Sequence, residues 1–320
     1  MEAPALKTTP RETLLLAVCA ILTVAIVVPV QAVELAINEV MASNSATTAD
    51  PQGQYDDWVE VYNYGGTPID IGGMYLTDDP NDPTQWQIPA TDPSLTTIAP
   101  GGYLVIWADG DTEAEGLHAD FKLSADGEML SLFDADGATL IDSMAFPELP
   151  SDVSYGRNPD AGEDLRYFVA PTPGAANQEG YEGLVGEIEF SRERGFCDEP
   201  FSLTLSTDTP GATIYYSLDC ELPGQVASRK ITGTVYTSPI PVAKTTCLRA
   251  VAVREGWKSS AVYTQTYIFV SDVVKQSPTG TKPGTGWPDP RASGGGWGGW
   301  GGGGGGSSQI IDYGMDPDVV

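Results

Sequence analysis

Histidine and positive charge are what this sequence has least of. Its 320 residues carry one histidine, His118, so a His-rich metal centre or a His-based acid–base pair has almost nothing to draw on. Sixteen Lys and Arg face 44 Asp and Glu, a formal net charge of −28. A chain this acidic does not bind nucleic acid by neutralising phosphates, and its charge opposes docking on an anionic membrane surface. Outside an apolar N-terminal run, no twelve-residue segment has the i, i+3, i+4, i+7 spacing of an amphipathic helix. A phosphate cradle is missing too. The glycine tract at 294–306 has no Lys-Ser/Thr pair and no flanking strand and helix, and no kinase Gly-rich loop, HRD or DFG element occurs. What is present is enough apolar sequence, 41%, to build cores, in a length that suits about two domains.

The N-terminus reads as an address. Thr13 to Val28 is a nearly unbroken apolar run, preceded by Lys7 and Arg11 and followed by Pro29 and Val30-Gln31-Ala32. Small residues at that spacing suit signal peptidase, so residues 1–32 are expected to be a signal peptide cleaved after Ala32. The alternative is an uncleaved N-terminal membrane anchor, although the run falls short of the ~20 residues a span prefers. Cys19 does not suit lipidation, because the bulky Val18 precedes it and the apolar run continues past it. The chain from Val33 onward keeps Cys197, Cys220 and Cys247. An exported protein can form disulfides, and an odd count allows at most one intrachain bridge.

From Val33 the sequence is a succession of short runs rich in Val, Ile, Tyr, Phe and Thr, separated by Gly, Pro, Asp and Asn, which is the pattern of β-sandwiches. Strands are expected at 35–42, 57–63, 74–77, 103–108, 121–123, 129–133 and 140–145. Ala-Asp-Gly at 108–110, 125–127 and 135–137 supplies turns with positive φ. The run at 103–108, YLVIWA, is apolar on both faces and reads as central. A loop at 171–177, PTPGAAN, closes the unit. A second set of strands is expected at 201–205, 213–218, 235–236, 247–253 and 263–269, where alternation is clean. From residue 272 the chain turns Gly- and Pro-rich. Eleven glycines between 294 and 306 leave no side chains for a core, so 272–320 reads as a flexible tail in which Trp297 and Trp300 are incidental. The expected fold is all-β: two β-sandwich domains, immunoglobulin-like and fibronectin-like, in series.

Particular segments carry a resemblance. LAINEVMASNS (35–45), DWVEVYNYG (57–65), IDIGGMYLTDD (69–79), WQIP (86–89), IAPGGYLVIWAD (98–109), LHADFKLSADGEMLSLFDADG (117–137) and PTPGAAN (171–177) run in order through 33–178. That span resembles a lamin tail domain, which implies an immunoglobulin-like sandwich. RGFCDEPFSLTLS (194–206), TPGATIYYSLD (209–219) and YTSPIPVAKTTCLRAVAVREGW (236–257) make 184–271 similar to the chitobiase and β-hexosaminidase C-terminal domain, a fibronectin type III-like module. Cys220 stands where that family's turn often has Gly. The pairing resembles the N-terminal part of secreted bacterial proteins that continue into a CotH-type kinase domain. IFVSDVVKQSPTGTKPGTGWP (268–288) and IDYGMDPDVV (311–320) look like the segment preceding it, so the chain is expected to be truncated before a further domain.

Few residues offer chemistry. His118 has no accompanying nucleophile elbow and reads as structural. The acids at Asp78, Asp79 and Asp82, at Asp109 and Asp111, and at Asp134 and Asp136 read as solvated turns. The alternative is Ca²⁺ at one loop, although none has the twelve-residue loop with a terminal Glu. No catalytic, metal or cofactor residue is assigned. Trp58, Glu60 and Tyr62 share one strand face, where a carboxylate between aromatics could meet a sugar or peptide; cross-strand packing is the commoner use of such a face. Cys197 and Cys220 could bridge if the strands at 201–205 and 213–218 are antiparallel neighbours; a Cys197–Cys247 bridge and three reduced thiols are the other outcomes. The expected function is an exported, non-catalytic cell-surface or extracellular adhesion and display module, its partner a protein or a cell-surface polysaccharide and not nucleic acid. The alternative is an accessory substrate- or carbohydrate-positioning arm of a CotH-type kinase protein whose catalytic domain lies outside this chain.

Overall fold

The computed structural model describes residues 33–218, 223, 226–227 and 230–273. The apolar N-terminal run, Cys220 and the glycine tract lie outside the described residues. In chain order the first domain has strands Leu35–Met41 (β1), Trp58–Asn63 (β2), Ile69–Asp70 (β3), Tyr75–Thr77 (β4), Trp86–Gln87 (β5), Thr97–Ile98 (β6), Tyr103–Ala108 (β7), His118–Ala119 (β8), Gly127–Phe133 (β9), Leu140–Pro147 (β10), Ser154–Arg157 (β11) and Leu165–Phe168 (β12). They form a six-stranded sheet in the order β12-β11-β1-β2-β7-β8, a four-stranded sheet in the order β10-β9-β4-β5, and the small pair β3–β6.

Alternation explains the core. Val40, Val59 and Ile106 face one another in register across β1, β2 and β7, and all three are fully buried together with Ile37, Val61, Leu76, Leu130 and Leu132. Burying such side chains from both sheets is the main force holding the sandwich together. The expected Asp-Gly turns take positive φ at Gly110, Gly127 and Gly137. In β1 the register slips between Ile37 and Glu39, leaving Asn38 as the extra residue of a bulge. Gly156 of β11 lies opposite, and a Cβ there would sit 2.3 Å from the Asn38 carbonyl oxygen, so only glycine lets the two backbones approach.

Two expectations for this domain are corrected. Residues 121–123 are not a strand; Lys122 makes only an isolated bridge to Asp109, and the alternation of Phe121 and Leu123 reflects their burial from a loop. β11 and β12, with Ser, Gly and Arg among their eight residues, extend the large sheet beyond β1 in a stretch for which the sequence pattern suggests no strand.

In the second domain a five-stranded sheet runs in the order Gly195–Cys197, Tyr263–Phe269, Thr246–Val253, Thr213–Ser217, Thr234–Val235. Phe201–Leu203 pairs with Ile240–Val242, and Glu189–Phe190 with Leu205–Ser206. Leu203, Leu205, Ile214, Leu248, Ala250, Ala252, Tyr267 and Phe269 build its core. The chain between the domains is fastened at both ends: Tyr181 bridges to Tyr167, and Leu184 to Lys258.

The premise for a Cys197–Cys220 bridge does not hold, although Cys220 itself lies outside the described residues. Phe201–Leu203 and Thr213–Ser217 belong to different sheets and are not neighbours. Cys197 lies beside Phe269 at the opposite sheet edge from Thr234–Val235, three strands from Thr213–Ser217, which is roughly 14 Å at the usual strand spacing. Cys197 is a buried free thiol and Cys247 a half-buried one.

Candidate functional site

The outer face of the large sheet in the first domain is polar at one end, and a later segment of the chain covers it. Trp58, Glu60 and Tyr62 do share this face, but Trp58 and Glu60 are fully buried and Tyr62 is half-buried, stacked on Tyr103 with ring centroids 4.6 Å apart. The lesser alternative for these residues, an open ligand face, is therefore closed by the protein itself, and packing is what they do. The covering segment is the loop at 171–177. Gly174, at φ +80°, donates its N–H to Glu60 Oε2 at 2.6 Å. Thr172 donates its N–H to Glu39 at 3.3 Å, and Ser154 donates its hydroxyl to the same carboxylate. Asn177 donates its N–H to Asp160 Oδ1 at 3.0 Å, and its side-chain amide to the Arg157 carbonyl at 2.8 Å. The bulge residue Asn38 donates to Glu60 Oε1 at 3.1 Å and to Asp160 Oδ1 at 3.2 Å, while Tyr103 donates its hydroxyl to Asp160 Oδ2 at 2.6 Å.

Three carboxylates thus clamp the closing loop from beneath. Burial pushes the Glu60 carboxyl up to about 8 against the hydrogen bonds from Asn38 and Gly174, with the neighbouring Glu39 adding to the rise. Burial likewise takes Glu39 up to about 7 against its bonds from Ser154 and Thr172. Raised carboxyls resemble the tuned acids of catalytic sites. Here, however, their oxygens are committed to backbone and side-chain donors of the same domain, so the arrangement is a structural lock.

A second cluster sits where β7 ends. Asp109, just past β7, and His118, which opens β8, meet with the His118 Nδ1 2.9 Å from Asp109 Oδ2. Asp50, from the β1–β2 loop, brings a carboxylate oxygen so that one ligand atom from each of the three lies within 4.8 Å of the others. Asp56 from the same loop is coupled to all three; burial, then Asp109 and Asp50, raise its carboxyl above the usual range, and His118 and Lys122 oppose the rise. The sequence singled out Asp109 as a turn acid and His118 as structural, and it missed Asp50 and Asp56. No spacing rule joins positions 50, 56, 109 and 118; only the pairing of β7 with β8 and the return of the β1–β2 loop bring them together. Among the other expected acids, the Asp79, Asp82, Asp134 and Asp136 carboxylates accept hydrogen bonds from N–H groups within their own turns, as solvated turn acids do.

Charge is unevenly divided. Residues 33–178 hold 26 acids against three bases, Lys122, Arg157 and Arg166, whereas residues 184–271 hold nine against eight. Among the described residues no helix is long and apolar enough to cross a membrane.

Comparison with known families places both domains. Residues 30–148 match the Lamin Tail Domain, and residues 193–264 match the Chitobiase/beta-hexosaminidase C-terminal domain, in that order. Both are non-catalytic, Ig-like modules. The first match ends before β11, so Asp160 and the 171–177 loop lie beyond it. No curated protein and no solved structure matches the chain.

Proposed function

We propose that this chain is an exported, non-catalytic binding and display module of a cell-surface or extracellular protein. The observation that carries the reading is the serial arrangement of two Ig-like modules of non-catalytic families. In such folds function lies in what the surface presents. The surface of the first module is the distinctive one. Its excess of acids selects a partner with positive charge, a basic protein face or a cationic polymer, and disfavours nucleic acid. That module carries −23 of the −28 of the whole chain. A second reading, an accessory arm that positions a carbohydrate or other substrate for a catalytic domain, draws support from the second module, whose family is named for the C-terminal domain of glycan-cleaving enzymes.

The test uses the chain from residue 33 to 320. It is expected to show no turnover of ATP or chitin oligosaccharides above a buffer blank, and to co-sediment with envelope preparations of its host. Retention should weaken steeply between 50 and 500 mM salt, because exposed charges are screened over roughly a Debye length. Turnover that disappears in Glu60→Gln or His118→Gln would overturn the non-catalytic reading. Salt-independent binding to chitin oligosaccharides alone would favour the accessory arm.

A further inference from the structure

We propose that Asp50, Asp109 and His118, with Asp56 adjoining, form a binding site for one divalent transition-metal cation in the first domain. Proximity alone would not carry this, since acidic loops are common. Two features of the buried groups do. Asp50 is 6% exposed; its Oδ1 accepts the Gln54 N–H at 2.6 Å, but its Oδ2 is buried with no partner in the protein. The Asp56 Oδ2 is buried without a partner as well. A carboxylate oxygen cut off from water and left unpaired is costly, and protein interiors rarely keep one without a counter-charge.

The second feature is the hydrogen-bond pattern of His118, which is 3% exposed. Its Nε2 lies 3.1 Å from the Glu115 carbonyl oxygen and its Nδ1 lies 2.9 Å from Asp109 Oδ2. Both neighbours are acceptors only, whereas a neutral imidazole carries a single N–H. One nitrogen lone pair therefore faces an oxygen lone pair unless a positive charge lies there. A cation shared by Nδ1 and the Asp109 carboxylate removes the conflict and leaves Nε2–H on the Glu115 carbonyl. That is the outer bond a metal-bound histidine ordinarily makes to fix its tautomer. The Gln52 side chain donates to the same carbonyl at 3.0 Å, so the acceptor is itself held in place.

The donor set chooses the metal. One imidazole nitrogen with two or three carboxylates suits Zn²⁺ or Mn²⁺, while Ca²⁺ and Mg²⁺ take oxygen ligands. Bound there, the cation would tie the β1–β2 loop to the β7–β8 connection. The site stands whether or not the chain is exported or displayed.

The experiment is calorimetric titration of the tag-free chain, 33–320, with ZnCl₂ at pH 7, repeated with CaCl₂. The expected result is one Zn²⁺ per chain and affinity weakened at least 10-fold in His118→Gln and in Asp50→Asn. Asp50→Asn keeps the Oδ1 that accepts from Gln54 and replaces only the unpaired oxygen, so it retains the fold if His118→Gln does not. No stoichiometric uptake by the folded chain, uptake unchanged in Asp50→Asn, or Ca²⁺ binding as tightly as Zn²⁺ would each overturn the proposal.

Discussion

Acidification from pH 8 to pH 5 is expected to raise the urea midpoint of this protein. Glu39 and Glu60 are the cause. In the folded chain their carboxyls titrate near about 7 and about 8, against 4.5 for an ordinary Glu, because burial disfavours their charged forms. Above pH ~4.5 the unfolded chain releases these protons while the folded chain keeps them. Stability therefore falls as pH rises, through about 7 for Glu39 and about 8 for Glu60, and is fully present only below ~4.5. At about 1.4 kcal/mol per unit, the Glu60 shift alone corresponds to something on the order of 4–5 kcal/mol across the window. The two carboxyls are neighbours, so their contributions overlap rather than add. The groups facing them are Asp160, Tyr103, Ser154, Thr172 and Asn38, and of these Asp160 is the other acid that raises both. Carboxyls shifted the other way, at Asp70, Asp92, Asp136 and Asp152, start from 3.8 and are lowered by hydrogen bonds, so they lose stability only in stronger acid, outside this window. The general repulsion among 26 acids works in the same direction as the glutamates. Glu60→Gln separates the two, since it removes one titration and leaves the surface charge; the slope between pH 5 and 8 should shrink but not vanish, because Glu39 and the raised Asp56, Asp57 and Glu128 remain. Urea unfolding followed by the fluorescence of buried Trp58, Trp86 and Trp107 reads it, and a midpoint that climbs from pH 5 to pH 8 would contradict it.

Replacing Arg157 by Ala is expected to cost about 2–4 kcal/mol, somewhat below the ~3–5 kcal/mol for breaking a fully buried ion pair from one side, because this pair is only part-buried. Arg157 lies on β11 in the large sheet, and its guanidinium reaches Asp142 on β10 in the other sheet, with both carboxylate oxygens at 3.0 Å. Its remaining N–H groups donate to the Ile37 carbonyl at 2.9 Å and the Gly162 carbonyl at 2.8 Å. Asp142 also accepts the Ile37 N–H at 2.8 Å, next to the bulge. One side chain therefore joins both sheets, the bulge and the 158–164 connection. Its loss strands a carboxylate and two carbonyls that are only partly exposed. Arg157→Lys should recover only a minor part, because one ammonium nitrogen can replace Nη2 at Asp142 but cannot also reach the Ile37 and Gly162 carbonyls that Nε and Nη1 hold. A loss under 1 kcal/mol by equilibrium denaturation would show that the pair is ornamental.

What the sequence made legible follows from burial. β1, β2, β7, β9 and β10 announce themselves because alternate residues must face a core, and the Asp-Gly turns because positive φ needs glycine. β11 and β12 stayed hidden because four-residue strands such as Ser154-Tyr155-Gly156-Arg157 have little pattern of their own and exist by pairing with β1. Glu60 was misplaced for a related reason. Trp58, Glu60 and Tyr62 alternate as a half-exposed face does, and nothing local reveals that Gly174, 114 residues later, seals it. The Asp50, Asp56, Asp109 and His118 cluster was invisible on the same ground. The domain types, in contrast, are readable because segments such as LAINEVMASNS, IAPGGYLVIWAD and TPGATIYYSLD run in family order over both modules.

Export and display rest on the N-terminus of the protein as its own host makes it. Sequencing the product recovered from the envelope or the medium is expected to give a chain beginning at Val33, with little material in the cytoplasm. A cytoplasmic product that still begins with Met1 and carries residues 1–32 intact would contradict it.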